Sequence, residues 1–386
     1  MRVLHVFKTY FPDSFGGIEQ VIRQIALAAQ PLGVESRVFT LSRAAKSPRI
    51  VRDTGITVVQ APAHLDLAST PMSLSALNLF RENARWADVI HYHFPWPFAD
   101  LLHLFGNEHK PSIVTYHSDI VRQRVLLEFY RPLMRRFIGS MDAVVATSPN
   151  YLESSETLQM FRKKVEVIPI GLDELSYPRP SPERVAYWQN KVGEDFFLFV
   201  GVIRYYKGLH ILLEASVGAP FQVVIVGSGP LEVGLREKAE QLKLKNVHFL
   251  GAVSEEDKMA LMGLCRAVAF PSHLRSEAYG VTLLEGAMKG KPLISSEIGT
   301  GSSYINRDGD TGIVVPPADP REFRLAMDRI HEDSDLAMSL GRNARARFDA
   351  VFTANSMALS YFRLYSRVQN RQTARADMKC ETNRHG

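Results

Sequence analysis

The chain has 386 residues, long for one hydrophobic core, so two domains are the default expectation. Its apolar and charged fractions, 46% and 23%, are those of an ordinary globular protein. The formal charge of +5 is concentrated at the end. From Arg363 onward there are six basic and two acidic residues, which leaves about +1 for the rest and no basic body to bind nucleic acid. The two cysteines, Cys265 and Cys380, exclude a disulfide framework and a thiolate metal cluster, and they fit a reducing, cytoplasmic setting. No run is long enough to span a bilayer. The start, "MRVLHVFKTYFPD", meets Lys8, Pro12 and Asp13 too soon for a secretory leader and reads as a first strand.

In chain order, "VLHVF" leads into Gly16-Gly17 and an amphipathic stretch to about Gln30. "SRVFTL", "ITVVQ", "DVIHYHF", "SIVTYH" and "AVVAT" follow, most of them separated by helix-length segments. Continuous apolar strands of this kind indicate a parallel sheet covered on both faces. "VEVIPIG" ends the series, and the Pro-rich "LDELSYPRPSPER" reads as a linker. The pattern restarts with "FFLFVGV", "QVVIVG", "NVHFLG", "AVAFPS", "KPLISS" and "TGIVVPP". From about Asp319 the chain reads as helical to near Asn370. The expected class is therefore α/β with two doubly wound Rossmann-like domains. Residues 1–172 form the first and 195–350 the second, joined by a linker at 173–194. A C-terminal helix follows over 351–370, then a basic tail at 371–386 without fixed structure.

Ligands of open α/β sheets bind beyond the carboxyl ends of strands, and the informative residues lie there. Gly16-Gly17 opens a helix after the first strand, as a plain turn or as bare backbone that an anion can approach. "TYHSD" ends a first-domain strand with His117 and Asp119. "VGVIRYYKG" sets Arg204 and Lys207 just past the first strand of the second domain, where two cations can grip a diphosphate. "VGSGP", with Gly227 and Gly229, is not a dinucleotide fingerprint and reads as a tight turn that lets a ligand come close. Asp308 and Asp310 have the spacing of a metal-binding pair, but Gly309 and Gly312 favour a turn. Ser148, before Pro149, reads as a helix cap.

The segment "SEAYGVTLLEG" carries two acids eight positions apart. Glu277 lies just before a helix starting near Gly280, and Glu285 falls two turns into its apolar run. Such a helix aims its N–H groups at Val281 and Thr282, and its positive dipole, at a phosphate. Glu277 can then accept from hydroxyls on one side of that phosphate and Glu285 from a pair on the other. A sugar, a diphosphate and a ribose, in that order, match the spacing.

Together, Glu277 with Glu285, "GVIRYYKG", "VGSGP", Gly16-Gly17 and "VIPIGLD" resemble the retaining GT-B glycosyltransferases of family four over nearly the whole chain. The resemblance implies two domains facing across a cleft, with donor on the second, acceptor on the first and the last helix packed back on the first. It implies that Arg204 and Lys207 neutralise the leaving diphosphate, Glu277 holds hydroxyls of the transferred sugar and Glu285 those of the ribose. Gly16-Gly17 would approach the phosphates and acceptor side, His117 the sugar at the reaction centre, and the backbone from Phe249 through Leu250 to Gly251 the base. "EAY", with Ala278 and Tyr279, departs from the Glu-Gly-Phe or Glu-Pro-Phe of many relatives and alters the sugar pocket.

"FVGVIRYYKGLHILLEA" and the segment from Ser276 to Gly312 are similar to bacterial mannosyltransferases that build surface polysaccharide, such as O-antigen, from GDP-mannose. A UDP-hexose enzyme is the nearest alternative and a nucleotide-sugar epimerase a further one. A periplasmic binding protein would need a secretion signal, and a nicotinamide dehydrogenase a true fingerprint. The expected mechanism is front-face departure with no metal and no other cofactor, the cations and helix start stabilising the diphosphate. The acceptor glycan is expected on a membrane lipid. The chain would then meet the inner face of the membrane through the basic stretch 121–137 and the arginines of the tail.

Overall fold

The computed structural model describes residues 1–14, 16–67, 70–106, 109–120 and 124–382. Its backbone divides into two compact units. One comprises Met1–Thr147, Ser155–Gly171 and Ala354–Gly386, and the other Ser148–Ser154 and Leu172–Thr353.

The strands of the first unit are β1 (Arg2–Val6), β2 (Glu35–Ser42), β3 (Arg49–Asp53), β4 (Ile56–Pro62), β5 (Leu65–Leu67), β6 (Thr70–Met72), β7 (Val89–Phe94), β8 (Ser112–Tyr116), β9 (Ala143–Ala146) and β10 (Val165–Val167). Among the described residues eight of them form one sheet in the order β10-β9-β8-β7-β1-β2-β4-β3, while β5 and β6 pair separately. The eight-stranded sheet is parallel except at its edge, where β3 runs against β4. All six residues of β7, "VIHYHF", are buried, as a strand covered on both faces requires. Helices α1 (Gly17–Ala29), α2 (Ala76–Trp86), α3 (Pro97–Gly106) and α4 (Arg124–Ser140) occupy the crossovers. Two short ones follow, α5 (Pro149–Ser154) and α6 (Glu156–Met160), of which α5 belongs to the second unit. Ser148 caps it, accepting from the Tyr151 N–H at 3.1 Å.

In the second unit α7 (Pro182–Val192) precedes β11 (Phe197–Val200), α8 (Leu209–Ala215), β12 (Val223–Val226), α9 (Glu232–Gln241) and β13 (Val247–Gly251). Then come α10 (Glu255–Leu264), β14 (Ala267–Phe270), α11 (Val281–Met288), β15 (Leu293–Ser296), α12 (Gly301–Ile305), β16 (Gly312–Val315), α13 (Pro320–Glu332) and α14 (Ser334–Val351). The six strands run parallel in the order β13-β12-β11-β14-β15-β16, a doubly wound sheet whose direction of winding reverses between β11 and β14. Its core is aromatic and β-branched, with Phe197, Phe199, Val223, Ile225, Phe323 and Met327 fully or almost fully buried.

Two expectations are corrected. The segment 173–194 is not an open linker. Ser181 caps α7 by accepting from the Arg184 N–H, and Pro182 occupies its first turn. Trp188 is buried, and its indole N–H donates to Asp257 at 2.8 Å, which fastens α7 to α10. The last helix, α15 (Ala354–Thr382), also continues well past Asn370 into the stretch read as a loose tail. It packs on α1 of the first unit, with Tyr361, Leu364, Tyr365 and Val368 buried and Arg363, Arg367 and Arg371 on the exposed side.

Gly227 and Gly229 have a backbone reason to be glycine. Gly227 has φ +125°, and a Cβ there would stand 2.0 Å from the Gly201 carbonyl oxygen. At Gly229 it would stand 2.3 Å from the Ile203 oxygen. The loops after β11 and β12 lie backbone to backbone, with Ile203 N donating to Ser228 O at 2.9 Å. Gly227→Ala is therefore expected to destabilise the protein by about 2 kcal/mol or more, seen as a lowered thermal midpoint. An unchanged midpoint would contradict this account of the loop.

Candidate active site

The second unit assembles its site at the switch point. The loop after β11 carries Arg204 and a 3-10 turn, Tyr205–Lys207, closed by Gly208 at φ +71°. A Cβ on Gly208 would lie 1.9 Å from the Pro271 oxygen, so this loop sits directly on the one that follows β14. That approach brings Lys207 into an ion pair with Glu277, both side chains close to nine-tenths buried. Ser272 adds a hydroxyl donor to the same Glu277 oxygen at 3.3 Å, and the Lys207 ammonium lies 5.1 Å from the centre of the Phe270 ring. Arg204 is exposed and unpaired among the described residues. Cations and a carboxylate thus stand together where an α/β sheet binds its ligand.

Helix α11 starts beside them. Gly280, at φ +102°, is its N-cap and offers no side-chain cap, so the first-turn N–H groups at Val281 and Thr282 have no intrahelical acceptor. The Thr282 hydroxyl donates to the Val200 carbonyl at 3.1 Å, which ties the helix start to the end of β11. Tyr279 is buried against Gly301, where a Cβ would lie 2.4 Å from its ring.

Glu285 lies inside α11 and is only 3% exposed. It accepts from the Lys258 ammonium at 2.7 Å and from the Tyr177 hydroxyl at 3.2 Å. Lys258, itself buried, also pairs with Glu255 at 2.8 Å. Burial pulls the Lys258 pKa down, but Glu285 and Glu255 outweigh it and leave the ammonium above its usual range. Each acid of the segment therefore has its own lysine. Leu250 is half-buried at the end of β13, and the Gly251 carbonyl accepts from Gly227 N at 2.8 Å.

The first unit supplies a different chemistry. His117 follows β8 and is buried, its Nε2 3.0 Å from Nδ1 of His93. Burial pulls its pKa down to about 3, which keeps the ring uncharged. Asp119 accepts from Tyr116 at 2.9 Å and from Ser155 at 2.7 Å, so here it ties the end of β8 to the cap of α6. The start of α1, read as a plain turn or as backbone an anion can approach, has a carboxylate of its own close by. Glu19 folds back so that a Cβ on Gly16 would be 2.4 Å from its Oε2, and it accepts from Thr9 and Ser14 at 2.8 and 2.7 Å. Gly17 has open space about it.

The aspartate pair is a turn. Asp308 accepts from Val314 N at 2.9 Å, and Gly309 N donates to Gly312 O. Among the described residues the candidate metal group is instead His5, His91 and His93. Both ring nitrogens of His91 are already engaged, with Tyr365 and Thr115 at 2.8 and 2.7 Å. The His91 and His93 rings lie nearly face to face, 4.1 Å apart and tilted by 30°, so their lone pairs do not converge on one point. These histidines, Lys258 with Tyr177, and Glu19 were not singled out in the sequence. Only the histidines had a visible signal, since positions 5, 91 and 93 sit on strands and two of them alternate.

The fold is that of the GT-B glycosyltransferases. The chain is similar to sucrose-phosphate synthase from Thermosynechococcus elongatus, with a TM-score of 0.75 at 21% identity over 95% of this chain and 98% of the other. It is also similar to WaaG, a glycosyltransferase involved in lipopolysaccharide biosynthesis, with a TM-score of 0.64 at 18% identity over 93% and 98%. Residues 15–174 match the model for Glycosyltransferase Family 4, and 183–347 that for glycosyl transferases group 1. Among full-length relatives, D-rhamnosyltransferase WbpZ of Pseudomonas aeruginosa is 56% identical over 92% of this chain and 93% of its own. O-antigen chain mannosyltransferase C of Escherichia coli is 48% identical over 95% and 98%. The chain belongs to the group 1, family 4 glycosyltransferases, and it is an enzyme of that kind.

Arg204→Ala is expected to cut turnover by roughly a hundredfold, the scale for one preorganised charge-stabilising group, with thermal stability unchanged. Lys207→Ala should lose as much turnover and also stability, because it leaves Glu277 buried without its cation. Near-normal turnover in both variants would remove the diphosphate from this site.

Proposed function

We propose that this glycosyltransferase moves a hexose of manno configuration from a GDP-activated donor, with retention, to a hydroxyl of a lipid-linked glycan in O-antigen or related surface-polysaccharide synthesis. The observation that carries the reading is the Lys207–Glu277 pair at the switch point, beside Arg204 and the start of α11. It sets cations for a diphosphate next to a carboxylate for sugar hydroxyls. The sugar is α-mannose, or D-rhamnose, which is mannose without its 6-hydroxyl. The names of the two relatives favour these two over a UDP-hexose.

The chemistry follows from the charges. A diphosphate draws Lys207 and Arg204 toward its oxygens and takes the N–H groups of α11, which stabilises the negative charge that develops as the glycosidic bond breaks. Glu277, released from Lys207, accepts from sugar hydroxyls, and Glu285 from the ribose. The departing phosphate oxygen takes the proton of the attacking hydroxyl on the same face of the sugar. With the charge so met, no metal is needed.

Purified protein screened across GDP- and UDP-sugars tests this. Transfer or hydrolysis is expected with GDP-mannose or GDP-D-rhamnose, undiminished by excess EDTA. Turnover of UDP-hexoses alone, or abolition by EDTA with rescue by manganese, would overturn it. In calorimetric titration Glu285→Gln should weaken binding of free GDP, while Glu277→Gln should slow transfer with GDP affinity nearly intact. Identical losses would contradict the division of roles.

The proposed working place is the cytoplasmic face of the membrane. No helix among the described residues is long and apolar enough to cross a bilayer. Of the stretch 121–137, Val121, Arg122 and Gln123 lie outside the described residues. Further along, Phe129 is 80% exposed on α4 with Arg135 and Arg136 also exposed, as an interfacial helix would present them. On α15 Arg367 is already paired with Glu166, so α4 is the better surface. Binding to anionic liposomes is expected at low salt. It should be lost above about 0.5 M, where screening shrinks to a few ångströms, and weakened by Arg135→Gln with Arg136→Gln. Indifference to such liposomes at low salt would make the acceptor a soluble one.

A further inference from the structure

Strands β1, β7 and β8 are neighbours, and their parallel register sets His5 beside His91 and His93 beside Thr115. Alternation then puts His91 and His93 on one face of the sheet. The imidazoles on this face form a continuous chain. His117 Nε2 lies 3.0 Å from His93 Nδ1, and His93 Nε2 lies 3.2 Å from His5 Nδ1. The far nitrogen, His5 Nε2, is buried with no partner among the described residues. A second branch braces the chain from the side. His91 stacks on His93 and is held by Tyr365 and Thr115, and Thr115 meets the Tyr361 hydroxyl at 2.8 Å. Both tyrosines come from α15, which covers this face.

An uncharged imidazole has one N–H and one lone pair, so the three rings can order their protons in only two ways. In one, every N–H points inward along the chain, and the last, on His5 Nε2, is a buried donor with no acceptor. In the other, His5 Nδ1 donates to His93 Nε2, and His93 Nδ1 donates to His117 Nε2. That leaves a bare lone pair on His5 and the proton of His117 on Nδ1. An orphaned buried N–H is the rarer and costlier end. Charging the chain is worse still, since the rings are wholly buried and their neighbours are other histidines.

We propose that His93 and His5 are positioning residues: through this chain they hold His117 as an uncharged ring with its proton on Nδ1, so that it meets a substrate oxygen as a hydrogen-bond donor and not as a base. The proposal rests on the reading that places His117 at the reaction centre. It accords with a mechanism in which the leaving phosphate, not a side chain, takes the acceptor's proton.

Nuclear magnetic resonance of the full chain labelled with 15N-histidine tests the tautomer directly, with His117→Gln used to assign the ring. The expected signal for His117 in the wild-type protein at pH 7 is a neutral ring, protonated at Nδ1 and bare at Nε2. A ring protonated at Nε2, or at both nitrogens, would overturn the proposal. Kinetics supply the second arm. His93→Leu removes the donor to His117 and should lower kcat roughly tenfold with the donor KM little changed, the scale of one lost hydrogen bond. His93→Asn keeps an amide donor and should retain most of kcat. Equal loss in both variants at native thermal stability would overturn the positioning role. Normal transfer by His117→Ala would instead remove His117 from the reaction centre, while the tautomer signal still decides the polarity of the chain.

Discussion

A carboxylate withdrawn from water has to be met by a cation or by several donors, and in the second unit that requirement shapes the site. Glu277 and Glu285 belong to one short segment, yet each recruits a lysine from a different element, Lys207 from the loop after β11 and Lys258 from α10. The loop after β11 is thereby drawn to the segment that precedes α11, and α10 to the side of that helix. Buried ion pairs of this sort add little to stability against an apolar alternative, because both partners are desolvated. Their use lies in what can replace one partner. On the proposed reading, a diphosphate competes for Lys207 and leaves Glu277 an acceptor in need of donors, which sugar hydroxyls supply.

The first unit meets burial in the opposite way, by avoiding charge. His5, His91, His93 and His117 lie in the interior, where desolvation holds them neutral. Glu19, the acid near Gly16, is held by two hydroxyls. Buried lysine–glutamate pairs therefore mark the second unit, and a buried cluster of neutral imidazoles the first.

Much of this was legible in the sequence because strand ends are. "GVIRYYKG" after one apolar run and "SEAYG" after another place Arg204, Lys207 and Glu277 before any coordinate is known. What could not be read depends on register and distant pairing. Lys258 meets Glu285 only because α10 and α11 pack side by side, and nothing in "SEEDKMALM" names the partner. The histidine chain needs the registers of β1, β7 and β8 as well as the period of two within "VIHYHF". The stretch "SYPRPSPER" misled for a different reason. Its prolines suggest an open linker, whereas Ser181 followed by Pro182 is a helix start that buries Trp188. Gly227 and Gly229 read as a tight turn that lets a ligand come close, and the neighbouring loop whose backbone they also admit could not be read from "VGSGP".

With the sugar beside Glu277, as proposed, the same loop contacts bear on which sugar is chosen. Mannose and D-rhamnose differ by one hydroxyl, and relatives at 48% and 56% identity carry names that divide between them. A pocket that hydrogen-bonds a hydroxyl rejects a substrate lacking it by about 10⁴-fold or more, whereas an apolar wall turns away the extra hydroxyl by only about 10²-fold. The segment beside Glu277 can hold either kind of wall firmly. Gly301 N donates to the Ala278 carbonyl at 3.0 Å, and Tyr279 is wedged against Gly301, where no side chain fits. Because that backbone is fixed from both sides, a change of sugar does not require the carboxylate to move. It requires only that a neighbouring group gain or lose a polar atom facing the sugar. On this account two enzymes could transfer sugars that differ at a single carbon with the carboxylate, its lysine and the helix start unchanged.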